Sequence, residues 1–439
     1  MTKLSQNPEV AVIGGGLAGC EAAWQLAKGG TKVKLYEMRP FKMTEAHKTG
    51  LLGELVCSNS LKSESLDSAN GLLKEELKLL GSFIIKVAMK TRVPSGGALS
   101  VDREKFARTI TEEISNHPNI QVVNEEVTKL DFNIPTIFAT GPLTSEPIAK
   151  ELEQIFDGKL YFYDAISPVI DAESIDFSKA FFKSRYDKGE ADYLNCPMTK
   201  DEFFTFYEAL MTAEKVEFKE FEKNAVFERC MPIEEIAKRG EKTLTFGPMR
   251  PVGLKHPVTA EKYYAVVQLR KENLEGSAYN IVGFQTKMKI HEQKRVFRLI
   301  PGLENAEFLR FGSVHRNTYV KSPGKLNKNY RLEEKGLFYI AGQLSGVEGY
   351  VESIASGLNA ALDMLQILKG KSEIDFPNVT AMHALGTYIS TQKGGEFSPS
   401  NFHFGMLPPL SEKIRDKNLK KEMMSKRALE AMKNYLSTL

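Results

Sequence analysis

Apolar and polar positions along the chain follow two rhythms that exchange places. Residues 9–13, EVAVI, are a short β-branched run, and the alanine-rich stretch CEAAWQLAKGG that follows closely repeats its apolar positions at helical spacing. Between them lies Gly14-Gly15-Gly16-Leu17-Ala18-Gly19, so the pattern predicts strand, tight turn, helix. A second strand, TKVKLYE, ends at Glu37, 23 positions beyond Gly14. Residues 70–80, NGLLKEELKLL, and 102–117, DREKFARTITEEISNH, predict amphipathic helices, while IQVVNEEV and IPTIFATG predict further strands of the same sheet. From 146 to 324 the texture turns aromatic and charged, without clean strand–helix alternation, which predicts an inserted α+β domain. Strand signals return at GLFYIAG (336–342), ahead of the helical GVEGYVESIASGLNAALDMLQIL. The expected architecture is α/β, with a discontinuous Rossmann-like domain over 1–145 and 325–439 interrupted by 146–324.

Composition narrows the class. At 439 residues, 42% hydrophobic and 26% charged, the chain can bury two or more cores. The longest apolar stretches, such as FII and YYAVV, fall far short of the roughly 18–20 residues of a membrane span, so no membrane partner is expected. The first ten residues lack an apolar signal core, and a cytoplasmic location is the expectation. A net charge of +3 means that any nucleic-acid partner must be met by a local basic patch. The seven histidines show no metal-binding spacing and the four cysteines no C-x-x-C pair, so no metal is expected. Residues 411–439 carry eight Lys/Arg and four acids and predict a basic surface helix.

Gly14-x-Gly16-x-x-Gly19 carries the first chemistry. Glycines permit the turn, let backbone N–H groups approach a pyrophosphate, and bring helix and strand close. Glu37 stands where an acid accepts ribose hydroxyls, which suits FAD or NAD and argues against a 2′-phosphate. Gly141, at the end of IFATG, and Gly342-Gln343, at the end of FYIAGQ, predict late returns of the chain to the same cofactor, which suits FAD. No second glycine fingerprint follows a strand, so NAD(P)H is expected as a visiting reductant.

Cys20, one residue past the fingerprint, and Cys196, before the capping box Thr199-x-x-Glu202, read as buried packing thiols. Cys57, in GELVCSNSLKS, and Cys230, in FERCMPIEE, sit among polar groups, and spacing alone leaves catalytic and structural roles open. Basic residues of the insertion lie near rings: Lys238, Arg239, Lys242, Arg250 and Lys255 near Phe246, and Lys287, Lys289, Lys294 and Arg295 near Phe284. Such pairing can track a phosphate backbone and stack bases, or can be a solvated face.

VIGGGLAGCEAAWQLAKGG, GELVCSNSL, VPSGGALSVDR, CMPIEEIAKRGEKTLTFGPMRPVGL, HRNTY and AGQLSGVEGYVESIASGLNAA together resemble the folate- and flavin-dependent tRNA (uracil-5-)-methyltransferases. The resemblance runs from about residue 8 to 410 and implies a glutathione-reductase-type FAD-binding domain. It implies methyl transfer to carbon 5 of a uridine in the T-loop of tRNA, position 54. The carbon would come from 5,10-methylenetetrahydrofolate and the reducing equivalents from NAD(P)H through FAD. It maps the two family cysteines onto Cys230, as the thiolate that adds to the uracil ring, and Cys57, as the partner near the flavin, with Glu348 or a histidine as other candidates for removing the carbon 5 proton. Tyr350 joins the cofactor-binding set as a stacking partner for folate. Relatives that use the same chemistry on a 23S ribosomal RNA uridine look similar, so the RNA target stays open at this level. A generic FAD oxidoreductase of a small metabolite is the alternative from another class.

Overall fold

The computed structural model describes residues 9–156, 160–187, 190–216, 231–255, 262–391 and 397–438. Its first sheet is wholly parallel. We label its strands β1 (Val10–Ile13), β2 (Val33–Tyr36), β3 (Ile120–Val123), β4 (Thr136–Phe138) and β5 (Phe338–Ile340), and their spatial order is β5-β4-β1-β2-β3. Three helices matter most for the site: α1 (Leu17–Lys28), α2 (Arg103–Ser115) and α3 (Tyr350–Leu368). β1 sits in the middle of the sheet, with Val10 and Val12 sealed on one face and Ile13 buried and Ala11 part-buried on the other, as expected of a strand covered on both sides. Its register pairs Ile13 with Tyr36 on one side and with Phe138 on the other, so the ends of three strands open at one edge. Ligands in such sheets bind beyond the carboxyl ends of the strands, and the turns at Gly14, Gly141 and Gly342 gather there.

α1 crosses α3 closely because Gly357 lets the α3 backbone approach the Ala18 carbonyl; a Cβ there would overlap its oxygen. Two buried carboxylates cap other helices from a distance. Glu21 accepts from the N–H groups of Phe83 at 3.1 Å and Ile84 at 2.9 Å, and Glu76 from those of Ala381 at 2.8 Å and Met382 at 3.0 Å. The C-terminal helix Lys417–Leu436 does more than present charge. Met424, Ala428 and Met432, spaced four apart, bury one face of it in the main core.

The insertion has its own antiparallel sheet, ordered Phe181–Phe182, Tyr193–Met198, Ala265–Lys271, Ala278–Ile281, Val169–Asp171, Phe308–Arg310. One face carries a separate hydrophobic cluster built on Leu194, Cys196, Phe203, Phe206, Val267, Leu269, Phe284 and Phe297. The helix Lys200–Thr212 packs on it and starts with the reciprocal Thr199–Glu202 capping box. The main cluster, by contrast, takes in Ile148, Leu152 and Phe156 and resumes at Val320. The ribbon of Leu160–Ala165 with Val314–Tyr319 joins the two parts, and the Thr318 N–H donates to the Pro142 carbonyl at 2.8 Å.

Candidate active site

The turn between β1 and α1 is shaped by what a side chain would strike. Gly14 has φ +105° and lies against the Ala139 carbonyl, and Gly19 lies against the carbonyl of Gly14 itself. Gly16 is different: a Cβ there would meet nothing within 4 Å. It is also the N-cap of α1 and offers no side-chain acceptor, so the first N–H groups of the helix face open space. Exposed N–H groups at the positive end of a helix dipole, with bare glycine in front of them, form a seat for a pyrophosphate.

That seat opens into a cleft of about 1010 Å³, part of it open to solvent. Gly14, Gly15, Gly16, Leu17, Ala18, Glu37, Gly141, Gly342, Gln343 and Tyr350 all line it. Gly19 does not, and serves the approach of strand and helix instead. Gly141, at φ +70°, also has open space where its Cβ would be, and Gly342, at φ +75°, anchors its N–H on Ser356 Oγ at 2.7 Å. The cleft thus has room for an elongated dinucleotide such as FAD, with bare backbone on its wall at Gly16 and Gly141.

Glu37 ends β2 on the cleft wall. Its Oε2 accepts the Gly15 N–H at 2.9 Å, and Arg39 donates to both carboxylate oxygens, from Nε at 2.9 Å and Nη2 at 3.1 Å. Burial pushes this carboxyl up, but the Arg39 hydrogen bonds and charge outweigh it and hold Glu37 below the ordinary carboxylate range. Arg39 escaped the sequence reading, although it stands only two residues past the expected acid. Cys20 is sealed under the turn with its thiol on the Gly15 carbonyl at 3.2 Å, and burial, reinforced by the Glu37 charge, pushes that thiol far up. Cys196 is likewise buried and pushed up to about 12. Neither is a nucleophile.

Tyr350, on the cleft wall, begins α3. The Cys57 N–H donates to Tyr350 Oη at 2.8 Å, and the Cys57 carbonyl accepts from Arg103 Nη2 at 3.2 Å and Arg310 Nη2 at 2.9 Å. Arg310 Nη1 reaches the Val56 carbonyl at 3.2 Å, and Arg103 also holds the Leu55 carbonyl. One step on, Arg270 binds Asn59 Oδ1 at 2.9 Å and Ser58 Oγ at 2.7 Å. Glu272 pairs with Arg103 at 2.8 Å. The cysteine predicted from sequence therefore sits in a loop held by three arginines, none of which local pattern marks out. Burial, then the nearby Cys57, push the Tyr350 phenol up. Gln343 Nε2 donates to both oxygens of Glu348, at 3.0 and 2.9 Å, in the buried turn before α3. Cys230 lies outside the described residues.

The basic residues of the insertion are largely paired. Lys287 meets Glu235 at 2.6 Å, Lys289 meets Glu214 at 2.7 Å, Arg295 meets Glu292 at 2.5 Å, and Lys294 lies 5.7 Å over the Phe311 ring. Phe246 is 78% exposed, and Lys242, Arg250 and Lys255 near it in sequence are exposed as well. Among the described residues no cluster of three His, Cys, Asp or Glu is placed to hold a metal ion, and no helix is long and apolar enough to cross a membrane.

A parallel sheet with a glycine turn at its centre, and a cleft running along its carboxyl edge, defines an α/β flavoprotein of the FAD-binding Rossmann type. The crystal structure of Aquifex aeolicus GidA (form II) superposes with a TM-score of 0.71 over 98% of this chain and 73% of its own, at 17% identity, which speaks to fold alone. The family model of glucose inhibited division protein A matches residues 9–372. Methylenetetrahydrofolate–tRNA-(uracil-5-)-methyltransferase TrmFO of Natranaerobius thermophilus is 54% identical over 97% of this chain and 98% of its own, and that of Bacillus subtilis is 53% identical over 98% and 99%. The chain belongs to the glucose inhibited division protein A family and, within it, to the methylenetetrahydrofolate–tRNA-(uracil-5-)-methyltransferases.

Proposed function

We propose that the protein methylates carbon 5 of a uridine in the T-loop of tRNA, at position 54, with carbon from 5,10-methylenetetrahydrofolate and electrons from NAD(P)H by way of FAD. The observation that carries this reading is a cleft lined by the glycine turns, Val56 and Tyr350, with Cys57 hydrogen-bonded to Tyr350, in a chain more than half identical to enzymes so named. Bound FAD supplies the hydride that brings the transferred carbon from the formaldehyde level to a methyl group.

The protein's own residues do the rest. The N–H groups at the start of α1 bind the diphosphate, and Glu37, kept ionised by Arg39, accepts from the ribose. Cys230 is the nucleophile: its thiolate adds to carbon 6 of the uracil, the ring becomes an enolate, and carbon 5 gains the electron pair that attacks the one-carbon unit, whose carbon–nitrogen bonding pair returns to the nitrogen that carried it. Removal of the carbon 5 proton then lets the thiolate leave and the ring recover its double bond. Cys57 assists beside the cofactor, with its backbone fixed from both sides by Tyr350 and the arginines. The target base must leave its stack to reach this site, and exposed Phe246 with Lys242, Arg250 and Lys255 offers a ring and cations on the insertion for the surrounding RNA. The two hydrophobic clusters support a discontinuous cofactor domain with the insertion joined after Phe156 and before Val320. A tRNA substrate supports a cytoplasmic location.

The test is transfer of label from methylenetetrahydrofolate, with NADH or NADPH, to unmodified tRNA and to a 23S ribosomal RNA fragment. Label in tRNA that is lost with Cys230→Ala is the expected result. Label only in the ribosomal fragment would keep the chemistry and overturn the substrate; label in neither would overturn the reading.

A further inference from the structure

The geometry points to Arg310, acting with Arg103, as a positioning residue that the insertion extends into the cofactor domain to set both the orientation of Cys57 and its readiness to ionise. The inference rests on the reading that Cys57 takes part in catalysis. It starts from the backbone. Cys57 has its N–H on Tyr350 Oη and its carbonyl shared by two guanidinium groups, so α3, α2 and the strand Phe308–Arg310 each hold one side of a single peptide segment. Arg310 grips two successive carbonyls, Val56 and Cys57, with its two terminal nitrogens, a fork that lysine cannot reproduce. With the main chain fixed on both sides, the Cβ of Cys57 has one direction to take.

Charge adds a second effect. The groups packed on this loop are Arg103 at the start of α2, Arg270 within the strand Ala265–Lys271, Glu272 just beyond it, Arg310, and the Tyr350 phenol. Asp102, beside Arg103, faces away towards the backbone N–H groups of Lys105 and Leu274. Glu54, three residues before Cys57, is tied to Arg39. Three cations therefore meet one engaged carboxylate, Glu272. Arg310 carries the strain of this imbalance: its Nε is buried without a partner among the described residues, and burial, then the neighbouring Arg103 charge, push it down to about 10. An anion at Cys57 would relieve the imbalance, which is why a thiolate is favoured there.

The experiment is alkylation of Cys57 by iodoacetamide in the FAD-loaded protein across pH 5.5 to 9.5, read by peptide mass spectrometry. Wild type should show a midpoint below the roughly 8.5 of a free thiol. Arg310→Met should raise that midpoint by about one unit or more, because an opposite charge nearby is worth about 1–3 units. Arg310→Lys should leave the midpoint near that of wild type yet lower kcat, since it keeps the charge and loses the fork. A merely structural arginine would move neither midpoint. Equal midpoints in wild type and Arg310→Met, or a wild-type midpoint at the free-thiol value, would overturn the inference. Should Arg310→Met fail to retain FAD, Arg310→Gln, which still reaches a carbonyl but carries no charge, is read by the same criteria. Cys57→Ala separates the two levels: a variant that still methylates RNA removes the catalytic role of Cys57 and leaves the midpoint result standing.

Discussion

Arg39 holds Glu37 through Nε at 2.9 Å and Nη2 at 3.1 Å and reaches Glu54 with Nη1 at 3.2 Å, so one buried guanidinium neutralises two carboxylates at the nucleotide end of the cleft. Arg39→Met leaves the buried Glu37 without its counter-charge, while Glu54 keeps the N–H groups of Lys48 and Thr49, and the lost pairing at Glu37 costs about 3–5 kcal/mol of stability at pH 7. The pH dependence follows from sign. Glu37 is held below its ordinary value of 4.5, so its contribution is present above that value and is lost as pH falls through the lower folded value. Urea unfolding of wild type and variant should differ most at pH 7, and the gap should narrow on acidification below pH 4.5. A gap that did not change with pH would deny the ion pair its part.

Gly16 and Gly19 separate cofactor binding from folding. A methyl group at Gly19 would overlap the Gly14 carbonyl, while at Gly16 it would enter open space. Gly19→Ala is expected to cost about 1–3 kcal/mol through overpacking and to weaken FAD binding as a consequence. Gly16→Ala should leave the melting temperature of the FAD-free protein unchanged while lowering FAD affinity at least tenfold by fluorescence titration. Unaltered affinity in Gly16→Ala would mean that the diphosphate lies elsewhere.

Glu76 is a buried carboxylate that caps the helix Ala381–Ser390, and burial raises it to about 7 despite the two N–H groups it accepts. A raised folded value means that the native state holds the proton longer, so stability should fall as pH rises from about 4.5 to 7. The shift corresponds to about 3 kcal/mol at most. Glu76→Gln should flatten this slope, giving the variant its smallest deficit, or an outright advantage, at pH 8. Parallel pH profiles for wild type and variant would contradict it.

Tyr350→Phe takes the acceptor from the Cys57 N–H. An unmade buried hydrogen bond costs about 1–3 kcal/mol, and if that cost falls on the reacting geometry kcat drops about tenfold or more. FAD retention and the KM for tRNA should hold. A rise in KM with unchanged kcat would place Tyr350 in RNA binding instead.

Much of the cofactor half can be read along the chain because its signals are local. A β-branched run, a glycine turn and a helical repeat are neighbours in sequence, and Glu37 follows at the distance the fold requires. The observed strands run shorter than the stretches that predict them, Thr136–Phe138 within IPTIFATG for example, because the flanking residues already belong to the turns that face the cleft. The surroundings of Cys57 are another matter. Arg103, Arg270 and Arg310 come from 46 to 253 residues away and act on backbone carbonyls or small polar side chains that every loop possesses, so nothing in their own neighbourhood distinguishes them from surface arginines. Glu76 hides for a similar reason. In NGLLKEELKLL it resembles one more acid on an exposed helix face, and only the packing of Ala381 on it, 305 residues later, makes it a buried cap. The helix Glu146–Ile155 belongs to the main core by its apolar face, though the charged residues between those positions give it the texture of the insertion.

The pairing of β4 with β5 brings together strands separated by roughly 200 residues of intervening chain. At about 5–20 residues per second, the ribosome needs on the order of 10–40 s to deliver the second after the first. During that interval β4 presents an open edge, and the insertion, whose sheet is complete by Arg310, has everything required to fold ahead of the unit that encloses it. Gly342, Gln343 and Tyr350 emerge later still. A cleft that needs these three residues on its wall is therefore completed only in the last part of synthesis.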